Sequence, residues 1–167
     1  LMALFFIDAV PGTGKTSLIK ELRNRGEDAH DTDDECVMLS KSTGKVIEHR
    51  DRKNVPHNWV YPVEKIKELK EASRYNNVFL SGSIDNYEDV RPAVDYYVWM
   101  DIPLGELLRR LAERHNDFGE SDSEREYIIN LHKDMEEMGH PKAFKIDATK
   151  STKQIADELV EYANSLD

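Results

Sequence analysis

Ala9-Val10-Pro11-Gly12-Thr13-Gly14-Lys15-Thr16 is the stretch on which the fold turns. It joins an apolar run, Met2 to Ile7, to a segment with Leu18, Ile19 and Leu22 at helical steps. Glycines at 12 and 14 let the backbone curl until consecutive N–H groups face inward. The N-terminus of the next helix adds partial positive charge, and together they make a concave anion site. Lys15 supplies a point charge able to reach the outer phosphates of a nucleotide, and the Thr16 hydroxyl is placed to hold Mg²⁺. The expected phosphate contacts are Gly12, Thr13, Gly14, Lys15, Thr16 and Ser17. Ala9 stands where this loop usually carries its first glycine, and it keeps a small side chain at the exit from the strand. A random chain of this length meets the spacing about once in a hundred. A buried-type strand before the loop and a helix after it lower that further.

The rest of the chain alternates apolar runs with helical periods, as α/β proteins do. The first helix runs from about Lys15 to Arg25, and Gly26 is its natural stop. A weak strand near Asp28 to His30 leads into the acidic run Asp31-Thr32-Asp33-Asp34-Glu35. Leu39 to Trp59 is polar and has no readable period. Pro62 opens a helix as its first residue, with Ile66, Leu69 and Ala72 on one face. Val78 to Leu80 reads as a buried strand ending at Ser81-Gly82-Ser83, and Tyr96 to Ile102 as another. Pro103 opens a helix with Leu104, Leu107, Leu108 and Leu111 inward. Ser121…Glu124 and Ser123…Glu126 both have capping-box spacing, ahead of an inner stripe Ile128, Leu131, Met135 and Met138. Ala143 to Ile146 is a short last strand, and Ser151…Gln154 caps a final helix with Ile155, Leu159, Tyr162 and Leu166 inward. These elements predict one α/β domain over residues 1–167, a three-layer sandwich around a five-stranded, mostly parallel sheet.

Composition narrows the function. The 167 residues carry 23 Lys and Arg against 33 Asp and Glu, a net charge of −10. That balance argues against a nucleic-acid partner, which calls for a basic face. No apolar run approaches the ~20 residues that cross a bilayer. The lone Cys36 forbids an internal disulfide and fits a cytoplasmic, reducing setting. The six histidines lack metal-ligand spacing. Leu1, ahead of Met2, reads as a vector remnant.

With its P-loop and this order of elements, the chain resembles the small P-loop kinases: nucleoside monophosphate kinases, shikimate and gluconate kinases and their relatives. The resemblance spans nearly the whole chain and implies a nucleotide-kinase-like fold with a small mobile lid. It implies ATP and Mg²⁺ as cofactors and phosphoryl transfer to a small acceptor. Asp31-Thr32-Asp33 is similar to the Asp-x-Asp of shikimate-kinase-like enzymes. By that resemblance Asp31 serves the metal beside Thr16, and Asp33 is the general base, with Asp34 also open. Arg110 and Arg114 stand four apart on one helix face at the start of the lid, about residues 115–125, where guanidinium groups stabilise a transferring phosphoryl. Arg125 is a third candidate, and Gly119 a flexible point for closure. The resemblance also implies a plane stacked on adenine, a part open to Arg109 with the turn Asp147-Ala148-Thr149 opposite.

The chain departs from the family at Phe79-Leu80-Ser81-Gly82-Ser83, where nucleotide kinases carry Asp-Gly and shikimate kinases a glycine run. Ser81 stands where an acid is expected, which leaves the acceptor open; Ser83, Asp85 and Asn86 are placed to contact it. Arg50 and Arg52, in the polar insert of about 39–60, are candidates for an anionic acceptor, while Trp59 and Tyr61 read as packing residues. The expectation is a kinase of a nucleoside or nucleotide, as a monomer or homodimer. The alternatives are a nucleotide-binding switch or interaction module with little transfer activity, and a toxin-like or antibiotic-modifying kinase. A GTPase is disfavoured because no Asn-Lys-x-Asp tract is present, and a AAA+ machine because the chain is short and lacks an apolar run ending in Asp-Glu.

Overall fold

The computed structural model describes residues 2–114 and 119–166. Its centre is a five-stranded parallel sheet. The strands are β1 (Leu4–Asp8), β2 (Asp28–Asp31), β5 (Val78–Ser81), β6 (Tyr96–Asp101) and β7 (Phe144–Asp147), in the order β2-β5-β1-β6-β7. Two further strands, β3 (Val37–Ser40) and β4 (His57–Val60), form a separate antiparallel hairpin inside the polar insert. The helices are α1 (Lys15–Asn24), α2 (Thr32–Glu35), α3 (Val63–Ala72), α4 (Tyr87–Val90), α5 (Leu104–Ala112), α6 (Asp122–Met138) and α7 (Thr152–Ser165).

β1 is apolar at consecutive positions because both its faces are covered. Phe5 and Ile7 point to a core shared with Leu18, Leu22, Leu107, Ile128 and Leu159, while Leu4 and Phe6 point to a second core with Tyr61, Ile66 and Leu69. Helices therefore cover both sides of the sheet, as the sequence predicts. The register of β1, β5 and β2 aligns Ile7, Ser81 and Asp31. Because side chains alternate along a strand, Ser81 and Asp31 share the face of Ile7, against α1.

The helix ends are legible in chemistry. Ser121 and Ser151 each form a full capping box, with Glu124 and Gln154, so the structure selects Ser121 over Ser123. Gly26 follows α1 with φ +85°. Pro62 and Pro103 stand at the N-cap rather than at the first helical position, extended at ψ +134° and +142°.

Some expected inner faces are rotated. On α5 only Leu107 and Leu111 are buried; Leu104 and Leu108 lie on the outside. On α6 His132 is buried, with Nε2 2.6 Å from the Ile102 carbonyl oxygen, while Met138 is exposed. A stripe at alternating three- and four-residue steps drifts around a straight helix of 17 residues, so its last member leaves the contact face.

Candidate functional site

The carboxyl ends of β1, β2, β5 and β7 and the start of α1 meet at one edge of the sheet, where open α/β sheets bind ligands. The loop between β1 and α1 takes the shape its glycines allow, with Gly12 at φ +96° and Gly14 at φ +112°. A side chain at Gly12 would meet Leu111 Cδ2 at 2.9 Å and Leu107 Cδ1 at 3.0 Å, so α5 packs directly on the loop. Thr13 is buried and its hydroxyl donates to the Val10 carbonyl at 2.8 Å. Gly14 is the N-cap of α1, without any side-chain cap and without an acid in the first turn. The first-turn N–H groups of that helix are thus left for a ligand, in contrast to α6 and α7.

Lys15 folds back so that its ammonium donates to the Ala9 carbonyl. Burial pulls this ammonium below its usual range, and the neighbouring Asp8, Asp33 and Asp31 oppose that pull. Asp8, which sequence reading missed, closes β1; burial raises its carboxyl, and Lys15 and the Ala9 N–H partly offset this. Its only sequence signal is an acid at the end of an otherwise apolar strand.

The acidic run enters from β2. Asp31 is buried and accepts from the Thr16 hydroxyl at 3.0 Å through Oδ2, while Oδ1 accepts from the Asp33 N–H at 3.1 Å and caps α2. The structure thus brings Thr16 and Asp31 together. Two hard oxygen donors suit Mg²⁺. Among the described residues no cluster of three His, Cys, Asp or Glu forms a cage, so these donors fit an ion that also rests on phosphate oxygens. Ser81 Oγ, in register with Asp31, is buried without a hydrogen-bond partner. That leaves a polar atom, rather than an acid, in the row beside Asp31.

Asp33 lies at the open side of α2. Partial burial raises its carboxyl, Asp31 raises it further, and the indole of Trp59 and the charge of Lys15 act the other way. Tyr61, read from sequence as packing, is fully buried with its hydroxyl donating to Glu35, and Trp59 is half-buried with its backbone N–H donating to Asp85 Oδ2 at 2.6 Å. Asp34 points elsewhere, to Arg23 at 3.2 Å.

The arginines divide sharply. Arg110 donates to the Thr13 carbonyl and to the Ala148 carbonyl, each at 2.8 Å, and its Nε pairs with Glu106 at 2.9 Å. It straps the phosphate loop to the turn after β7. Arg109, expected at the adenine, is instead exposed and paired with Glu106 and Glu113. The turn is shaped by Asp147, whose Oδ1 accepts from the N–H and hydroxyl of Thr149, and these bonds lower its carboxyl. A cavity of about 340 Å³ lies here, lined by Gly14, Ser17, Arg110, Arg114, Ala148 and Lys150 among others. Arg114 is near enough for its charge to act on Lys15. A larger cavity of about 890 Å³, beside α3, shares no residue with the phosphate loop.

Three other expected contacts have structural partners. Arg125 donates to the Gly119 carbonyl at 2.9 Å. Gly119 is not an open hinge: it is buried, and a Cβ there would meet Leu111 and Ile128 at 2.9 and 3.0 Å. Arg50 pairs with Glu48 and Arg52 with His49, both on the surface. Residues 115–118 of the expected lid lie outside the described residues.

Residues 6–129 match the model of the AAA domain family. The chain belongs to that family. The acid run that the sequence lacks for a AAA+ machine is still missing, since β5 ends in Ser81. No curated protein matches the chain. Solved structures with the same fold include a sugar kinase from Janibacter sp. HTCC2649, 16% identical, with a TM-score of 0.58 over 98% of this chain and 95% of that one. A gluconokinase from Sinorhizobium meliloti 1021 is 15% identical, with a TM-score of 0.58 over 98% and 92%. A shikimate kinase from Acinetobacter baumannii, in complex with shikimate, is 15% identical, with a TM-score of 0.59 over 99% and 96%. The expected α/β P-loop kinase-like fold is thus the one observed.

Proposed function

We propose that this chain is an ATP- and Mg²⁺-dependent kinase of a hydroxyl group on a small molecule. The observation that carries the reading is the convergence of an uncapped α1 N-terminus, Lys15, the Thr16–Asp31 pair and Asp33 on one sheet edge. The likeness to a sugar kinase, a gluconokinase and a shikimate kinase supports it.

In this reading the N–H groups of residues 12–17 hold the nucleotide phosphates, and the base lies in the cavity beside Arg110 and Ala148. Thr16 and Asp31 would hold Mg²⁺, which when bound neutralises charge on the phosphates. Lys15 leaves the Ala9 carbonyl for the phosphates, and Arg114 adds charge at the transferring group. Asp33 accepts the proton of the acceptor hydroxyl, helped by a carboxyl already raised above the usual aspartate range. The acceptor favoured in this reading is a nucleoside or a nucleotide.

The test is ADP release from Mg-ATP over a panel of nucleosides, nucleoside monophosphates, shikimate and sugar acids. Acceptor-stimulated turnover that disappears in Lys15→Ala is the expected result. Tight ATP binding with no stimulation by any acceptor would overturn the kinase in favour of a nucleotide-binding switch.

A further inference from the structure

Ser81 is the one polar residue of β5, whose other members are Val78, Phe79 and Leu80. It is 0% exposed, and its hydroxyl Oγ is buried with no hydrogen-bond partner. A small apolar side chain would fill the same position, whereas a buried hydroxyl that bonds to nothing destabilises the fold. A hydroxyl held there calls for a partner from outside the chain.

Its place says what that partner is. Ser81 stands in the middle of the row Asp31–Ser81–Ile7, with a neighbouring strand about 4.8 Å away on each side. Asp31, on one side, already holds the Thr16 hydroxyl at 3.0 Å. The row faces α1, which carries Thr16 in its first turn. Ser81 Oγ therefore lies on the sheet beside the two oxygens that fit Mg²⁺. The position is also fixed. Gly82 follows at φ +150°, and a Cβ there would meet Thr32 Oγ1 at 1.6 Å. The chain leaving β5 is thus pressed against the residue after Asp31, which only glycine permits. Further along, Asp85 Oδ2 accepts the Trp59 N–H at 2.6 Å, and Asn86 bonds the N–H and carbonyl of Tyr61 at 2.8 and 2.9 Å. Asp85 and Asn86, expected at the acceptor, are engaged by the hairpin backbone instead.

Mg²⁺ held by one carboxylate and one hydroxyl keeps several of its waters. We propose that Ser81 is a positioning residue for that hydration shell: its Oγ accepts a hydrogen bond from one of those waters, next to Asp31. A serine does this while neutral, where a second buried carboxylate beside Asp31 would add like charge. The unmade hydrogen bond destabilises the ligand-free protein and is made when nucleotide and metal bind. This role rests on reading the site as one for a nucleotide with Mg²⁺, and it is independent of which acceptor is phosphorylated.

Two measurements on Ser81→Ala test it. Thermal unfolding in EDTA should give a melting temperature about 2 °C or more above wild type, because an unsatisfied buried oxygen is gone. Calorimetric titration with ADP should give the wild-type Kd in EDTA, while the tightening that Mg²⁺ brings to wild type should shrink about tenfold. A Ser81→Ala protein that fails to fold, or melts in EDTA at or below wild type, shows that the hydroxyl serves the fold and overturns the proposal. An unchanged effect of Mg²⁺ on ADP binding overturns it too, as does an equal loss of ADP affinity in EDTA. If wild type binds ADP no better with Mg²⁺ than in EDTA, the nucleotide–metal reading falls and the role of Ser81 with it. If wild type binds ADP with Mg²⁺ yet phosphorylates no acceptor, the kinase reading falls and the two Ser81→Ala measurements still decide the role of Ser81.

Discussion

Arg109 and Arg110 are adjacent in sequence and opposite in consequence. Arg109, itself exposed, spends its guanidinium on Glu106 and Glu113 at i−3 and i+4, and Arg110 joins two loops that are distant in the chain. Exposed pairs of the first kind contribute little, whereas hydrogen bonds from a charged group to enclosed carbonyls contribute more. Arg110→Ala should therefore lower unfolding free energy by roughly 2 kcal/mol and weaken ATP binding, measured by urea denaturation and calorimetry. Arg109→Ala should leave both unchanged. The sequence could place the pair on a helix, but it could not say which of them faces the loop. That depends on the rotation of α5, which Leu107 and Leu111 set by packing against Gly12. Cys36 gives a second test at this scale. Burial first, then the charges of Asp33 and Asp31, push its thiol up to about 12. The thiol form therefore persists through pH 8, and iodoacetamide should label Cys36 slowly until denaturant is added.

Among the elements, the legible ones carry a local signal. The loop of residues 9–16 has its glycines and lysine, β1 has its unbroken apolar run, and α6 and α7 have their capping boxes. Ser151→Ala should cost about 1 kcal/mol of stability through the lost cap on α7, read as a lower urea midpoint with unchanged slope. The β3–β4 hairpin was not legible, because its strands of four residues are joined by a long polar connection and bury little. Its place depends on Asp85 and Asn86, residues 25 or more positions away. Asp8 escaped notice because its meaning comes from Lys15 folding back over the end of β1.

At the scale of the molecule, a net charge of −10 and a site for a polyanion coexist because the site uses backbone amides and a few placed cations. α1 begins without a cap, so its first-turn amides gain partners only when a ligand arrives. A ligand that binds only the folded state stabilises it by mass action. Inorganic pyrophosphate or ATP should raise the melting temperature in proportion to the logarithm of its concentration, and Lys15→Ala should abolish most of that rise, as followed by scanning fluorimetry.

The strand order has a consequence for how the molecule is made. β1 leaves the ribosome before either of its partners, residues 78–81 on one side and 96–99 on the other. Until those residues emerge, Leu4-Phe5-Phe6-Ile7 is an apolar strand with two open edges, the kind of segment that chaperones shield and that aggregates when left alone. The phosphate loop hangs from that strand and is not fixed until both neighbours have emerged. Ribosome-bound chains stalled before Tyr96 should not be retained on immobilised ATP, and chains extended past α7 should be.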